Sequence, residues 1–329
     1  MEVPMVRTGF IGCGGMGQTL ARWVHRHPLG EVVAGADPSE MARRNFAAAY
    51  GAETYADHRK LLERSDLDAV FIATPHNLHL THVLDAAASE RHIFLEKPMG
   101  LSVAECDQMI EAARRHHVKL MVGQVLRLIP FYAEAIELAT SGSLGRPISV
   151  DISRIEYFPL TGWWKRRAAV GGLMFATSVH EFDFMRALFG EAESIYAVAA
   201  PQVREDVDYT DNAMVIVRFK NGATGSLHAS HSSFMGNYDG KILCTGGTVF
   251  YGGSQGLVYR GCEGSPVTVP QEELDRMEDG FRWEVRSFLE WITEGAAPVV
   301  TAQDGRAAVE MVQAAYLSIE RGAPVRLPL

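Results

Sequence analysis

The chain has 329 residues, 47% of them hydrophobic and 22% charged. These proportions exclude disorder as the main state, and the length suits about two domains. Thirty-one Lys and Arg stand against 40 Asp and Glu, a formal net charge of −9, which argues against a general binder of nucleic acid or of anionic membranes because both need basic faces.

The first 125 residues alternate strand and helix patterns. Val6–Ile11 reads as a strand, and Met16, Leu20, Trp23, Val24 and His27 then recur at helical spacing. A second strand covers 32–36, with Ser39 placed to cap the next helix. Further buried strands are expected at 69–73, 93–95 and 120–122, with helices near 77–89 and 102–117. Near-continuous apolar strands alternating with helices predict a parallel sheet covered on both faces.

After about residue 145 the rhythm changes. Residues 148–157 and 213–219 alternate with period two, and Asn221-Gly222 between alternating runs is a strong hairpin signal. Glycine-broken strands continue to about 270, with one helix near 180–189. This half predicts a mostly antiparallel sheet with one open face. Helices at about 279–294 and 303–321 end at Gly295 and Gly322. The expected division is a domain over 1–124 and a second over 125–329.

Cys13, Cys106, Cys244 and Cys262 form no CxxC pair, and their spacing suggests neither a disulfide framework nor a zinc site. No basic-then-apolar leader and no unbroken apolar run of ~18 residues is evident, so a cytoplasmic protein is expected. His76, His79 and His82 recur every three residues but drift round a helix. His228 and His231 are odd-spaced along a strand, so no metal site is expected.

Gly12-Cys-Gly14-Gly15-Met16-Gly17 fits G-x-G-x-x-G, after a strand and opening a helix. The first glycine makes a tight turn, the second admits a pyrophosphate, and the third allows close helix packing. The helix N-terminus offers N–H groups and the positive dipole end to the phosphates. Asp37 ends the second strand, 20 residues after Gly17, where a carboxylate accepts from ribose hydroxyls and disfavours a 2′-phosphate. NAD is therefore expected over NADP. NADP stays open through Arg43 and Arg44, which also read as helix-surface arginines.

Glu96-Lys97-Pro98 ends another parallel strand, outside which ligands sit in open α/β sheets. A lysine there is either an acid–base group for a carbinol or a plain surface lysine.

Together these motifs resemble the Gfo/Idh/MocA oxidoreductases, named for glucose–fructose oxidoreductase and inositol dehydrogenase. The resemblance covers essentially the whole chain. It extends through Thr74-Pro75 with Asn77 and His79, Arg127 ahead of a Pro130 helix start, Gly142 and Gly145, and Gly171-Gly172 followed by His180 and Asp183. It implies an N-terminal Rossmann domain, a doubly wound parallel sheet, and a C-terminal α/β domain on a large, mostly antiparallel open sheet. It also implies a homodimer or homotetramer and NAD(P)-dependent hydride transfer with a sugar, polyol or sugar derivative.

By the same resemblance Lys97 and His180 are catalytic, and Asp183 is the acidic residue one turn later. Thr74, Pro75, Asn77 and His79, with Glu96 and Lys97, line the cofactor, and the Lys97–Pro98 bond is cis. Inositol-dehydrogenase-like members carry an Asp where this chain has Ala176, so a Lys97–His180 pair completed by Thr177 or a water is expected instead. Arg127 joins the expected substrate contacts.

Tyr157, Trp163, Trp164 and the basic run 165–167 read either as a sugar-stacking surface or as loop packing. The loop 231–239 offers Tyr238 as a substrate contact. Two other functions stay open: redox-assisted glycoside cleavage with tightly held NAD, and a non-catalytic dinucleotide-binding regulator.

Overall fold

The computed structural model describes residues 5–200 and 202–329. They form two compact units, one comprising residues up to Val125 with Phe281–Arg306, the other Leu126–Gly280 with Ala307–Leu329. The expected boundary near 124 assigned everything after it to the second domain, yet 281–306 groups with the first. The reason is apolar. Phe288, on the helix Gly280–Glu294, packs edge-on against Phe71 and Phe94, at 5.4 and 5.7 Å between centroids. Helical periodicity gives a helix an apolar face without saying which sheet that face covers.

The first sheet has six parallel strands: β1 Val6–Ile11, β2 Gly30–Ala36, β3 Glu53–Tyr55, β4 Ala69–Ile72, β5 His92–Glu96 and β6 Leu120–Gly123. Their order, β3-β2-β1-β4-β5-β6, is the doubly wound one, and it reverses direction between β1 and β4. Phe10, Phe71 and Phe94 stand side by side in register on β1, β4 and β5, each 4.9 Å from the next and fully buried. Helices α1 Gly15–Arg26, α2 Glu40–Tyr50, α3 His58–Leu62, α4 His79–Ala88 and α5 Val103–Arg115 connect the strands. Ser39 caps α2 by accepting from the Ala42 amide, and Ser102 caps α5 by accepting from Glu105.

The second unit opens with α6 Pro130–Thr140, then β7 Pro147–Tyr157, a short helix α7 Arg167–Val170 and α8 Val179–Phe189. Strands β8 Ala192–Ala199, β9 Asn212–Phe219, β10 Thr224–Ser230, β11 Ser232–Cys244, β12 Gly247–Gly252, β13 Gly256–Gly261, β14 Val267–Thr268 and β15 Val325–Arg326 follow. The nine-stranded order is β14-β13-β12-β11-β7-β10-β9-β8-β15, antiparallel except where β10 runs parallel to β7. Asn221-Gly222 turns β9 into β10, with the Asn221 carboxamide oxygen accepting from Ala223.

One face of this sheet is covered by helices: Tyr132 of α6, Phe184 of α8 and Tyr251 of β12 meet ring to ring at 5.4–5.7 Å. The other face leaves Tyr196, Val198, Met214 and Ile216 exposed in cross-strand pairs. The segment read as a loop over 231–239 is mostly strand. Its register on β7 jumps between Ser232 and Asn237, so the bulged residues show no alternation. Among the described residues no helix is long and apolar enough to cross a membrane.

Candidate active site

In the first unit the glycine turn sits at the carboxyl end of β1. Gly12 has φ +97°, and a Cβ there would lie 2.3 Å from the Ala73 carbonyl oxygen; at Gly17 it would lie 2.0 Å from that of Gly12. Those two glycines are demanded from inside. Gly14 and Gly15 are not. A Cβ at either meets nothing within 4 Å, and Gly14 at φ −73° is in a conformation open to any residue. With Met16 they form the exposed first turn of α1, which no side chain caps. Free amides beside an open, glycine-lined surface fit a pyrophosphate.

Asp37 follows β2. Its carboxylate accepts from the Cys13 amide at 2.9 Å and from Ser39 at 2.8 Å, which places it beside the turn. Arg43 donates to the Asp37 and Pro38 carbonyls, while Arg44 pairs with Glu40 at 2.5 Å on the surface of α2.

Beyond β4 and β5 lies the second cluster of this unit. The Lys97–Pro98 bond is cis. Lys97 is half-buried and its amide donates to Glu96 Oε2 at 3.1 Å. Burial pushes the Glu96 carboxyl well above the usual carboxylate range, against the pull of the Lys97 charge. Gln124, directly after β6, is buried with neither end of its carboxamide hydrogen-bonded among the described residues; nothing in its sequence context marks it. Thr74 and Pro75 are half-buried and Asn77 is exposed.

His79 does not offer its ring to a cofactor. It is fully buried, with Nδ1 2.8 Å from the Pro98 carbonyl oxygen and Nε2 3.1 Å from that of Thr74. His82 Nδ1 lies 3.1 Å from the Thr74 hydroxyl, and its ring packs on His58, which bonds Asp85 at 2.8 Å. Burial holds the pKa of both His79 and His82 down to about 4. Among the described residues no cluster can hold a metal ion.

In the second unit a π-helical turn, Met174–Ser178, leads into α8, where His180 is the second residue and is 8% exposed. Three expectations change here. Asp183 is wholly buried and takes the Arg127 guanidinium side-on, Nε donating to Oδ2 at 2.6 Å and the other nitrogen to Oδ1. The two residues read as substrate contacts thus bind each other. Thr177 was expected to complete the His180 site, but its hydroxyl donates to the Leu173 carbonyl and then accepts from His231 Nε2 at 3.1 Å. A hydroxyl has one proton, and that proton is committed to the turn.

Tyr157 stacks on exposed Phe234 at 5.1 Å and lies under Arg204 at 4.8 Å, in a surface cluster. Trp163 stacks on Trp164 at 4.5 Å; Trp164 also contacts Phe158, and its carbonyl accepts from Tyr209. These aromatics pack the loop. Tyr238 does face the helix-covered side, directly across from Arg154 on β7 and 5.0 Å from its guanidinium. Arg154 in turn pairs with Glu181, the neighbour of His180, at 2.7 Å. Arg154 and Glu181 were missed because their pairing spans elements far apart in sequence.

Comparisons with known proteins agree with this anatomy. Residues 6–124 match the model of an oxidoreductase family with an NAD-binding Rossmann fold, and residues 132–250 match the GFO/IDH/MocA C-terminal domain. The chain is 28% identical to a myo-inositol 2-dehydrogenase of Thermotoga maritima, covering 98% of both proteins. It is 29% identical to an NAD-dependent scyllo-inositol 2-dehydrogenase of Bacillus subtilis, over 98% of this chain and 96% of that one. In fold it is similar to the WlbA dehydrogenase of Bordetella pertussis, solved with NADH and UDP-GlcNAcA, with a TM-score of 0.89 at 22% identity over 100% and 99% of the two chains. With both domain models matched in order along its length, the chain belongs to the Gfo/Idh/MocA family of NAD-binding oxidoreductases.

Proposed function

We propose that this oxidoreductase is a dehydrogenase of a cyclitol, sugar or related polyol, with NAD preferred over NADP. The observation that carries the reading is Lys97: an ammonium-bearing side chain beside a buried carboxyl at the carboxyl end of β5, on the sheet whose β1 end carries the open glycine turn. The relatives named for inositol dehydrogenation support the substrate class.

The residues divide the work. The first turn of α1 holds the pyrophosphate, and Asp37 takes ribose hydroxyls and repels a 2′-phosphate. NAD, when bound, supplies the hydride acceptor. Lys97 in its free-amine form takes the carbinol hydroxyl proton, so that the O–H electron pair closes the carbonyl as the hydride leaves carbon. His180, on the second unit, is the other catalytic group. On that unit Tyr238, Arg154 and Glu156 offer polar groups that suit a polyol's hydroxyls. The exposed apolar strip of Tyr196, Val198, Met214 and Ile216 supports a homo-oligomer, since such a strip is costly to leave in water.

The test is absorbance of the reduced nicotinamide with myo-inositol, scyllo-inositol, glucose and their keto forms, using NAD and NADP separately. Net NADH formation with at least one polyol is expected. Cleavage of a glycoside with no net NADH points to the redox-assisted reading, and cofactor binding without any turnover points to a regulator.

A further inference from the structure

We propose that His79 is a positioning residue for Lys97, acting through one hydrogen bond from its Nδ1–H to the Pro98 carbonyl. The inference rests on the reading of Lys97 as the proton-transferring residue. His79 opens α4, buried beneath the ends of β4 and β5, and each ring nitrogen faces a backbone carbonyl, Pro98 at 2.8 Å and Thr74 at 3.1 Å. A neutral imidazole has one N–H, so only one of these contacts is a hydrogen bond. A second proton would place a cation in a dry site already under the Lys97 charge. The single proton belongs on the shorter contact, and it therefore holds Pro98.

The effect on Lys97 follows from its two peptide groups. On one side its own N–H is taken by the buried Glu96 carboxyl; on the other the Pro98 carbonyl is taken by His79. Both anchors are buried side chains, so the lysine is gripped from two sides by groups that nothing in the sheet ladder supplies. The other end of the ring is backed by Thr74, whose hydroxyl meets His82. Loss of the Pro98 bond frees the Lys97 backbone to swing, and an ångström at the backbone is at least an ångström at Nζ, enough to cost about 100-fold in a positioned reaction.

Two amides separate the nitrogens. The Asn side-chain nitrogen falls where Nδ1 sits, and the Gln nitrogen falls where Nε2 sits. With NAD and the polyol that the wild type turns over fastest, His79→Asn is expected to keep kcat within about 3-fold. His79→Gln is expected to lose roughly 30-fold or more in kcat, with KM and the Kd for NAD within about 3-fold. Equal behaviour of the two variants, or a loss confined to NAD affinity, overturns the proposal. A readout free of turnover accompanies it: side-chain 15N correlation spectra of the histidine-labelled wild type, with the His79 signal assigned by its absence in either variant. The Nδ1–H tautomer is predicted; an Nε2–H tautomer or an imidazolium at pH 7 overturns it. If no polyol is turned over, the proposed function fails, while the tautomer still decides the role of His79.

Discussion

The two units treat their polar residues differently. In the first, Gly14 and Gly15 face open space, Asp37 lies beside the turn and Lys97 follows β5, while His79 is the motif residue turned inward onto backbone carbonyls. In the second, the groups singled out by motif face each other: Arg127 closes on Asp183, and Thr177 on Leu173 and His231. A site built from a backbone turn leaves its glycine surface open to a ligand. A site built from side chains on a helix and a sheet first has to neutralise its own buried charges, and those pairs consume the residues a motif points to.

The contrast breaks first at Arg127. Replacing it with Met removes the guanidinium that takes the buried Asp183 carboxylate side-on, and about 3–5 kcal/mol of stability is expected to go in denaturant unfolding. A variant as stable as wild type that loses only substrate affinity would return Arg127 to the substrate. The glycine turn comes next. Gly12→Ala puts a side chain into positive φ and against the Ala73 carbonyl, at an expected cost of about 2–4 kcal/mol. Gly14→Ala meets nothing inside the protein, so stability should hold within about 0.5 kcal/mol while NAD affinity falls about 10-fold or more by titration. If Gly14→Ala binds NAD normally, the open surface is not the pyrophosphate site.

The smallest effect sharpens the electrostatics of the first unit. His79 and His82 stay neutral when folded down to about pH 4, so the unfolded chain takes up protons they refuse between pH 6.5 and 4, and stability falls as pH falls through that window. Glu96 has the opposite sign: its raised pKa lets the folded state take a proton before the unfolded one, which adds stability as pH falls. Glu96→Gln removes that offset. Between pH 7 and 4.5 the variant should lose on the order of 1 kcal/mol more than the wild type, read from unfolding curves.

Much of the fold was legible because period and turn chemistry are local. The alternation of β9, the Asn221-Gly222 turn and the glycine fingerprint all appear where their residues predict. The helix Gly280–Glu294 was placed in the wrong unit because its apolar stripe names no partner. The strand β11 was hidden by its own bulge. In the site, Lys97 and Asp37 could be read from strand ends, but the pairings Arg154–Glu181 and Thr177–His231 join residues 27 and 54 positions apart, and only the folded chain reveals them.

The central claim is that Lys97 moves the substrate proton rather than binding the coenzyme. Lys97→Met, assayed by NAD titration and by NADH formation with the best polyol, measures both at once. Wild-type NAD affinity is predicted, with turnover reduced about 10³-fold. Turnover within tenfold of wild type, or a loss explained wholly by weaker NAD binding, would contradict it.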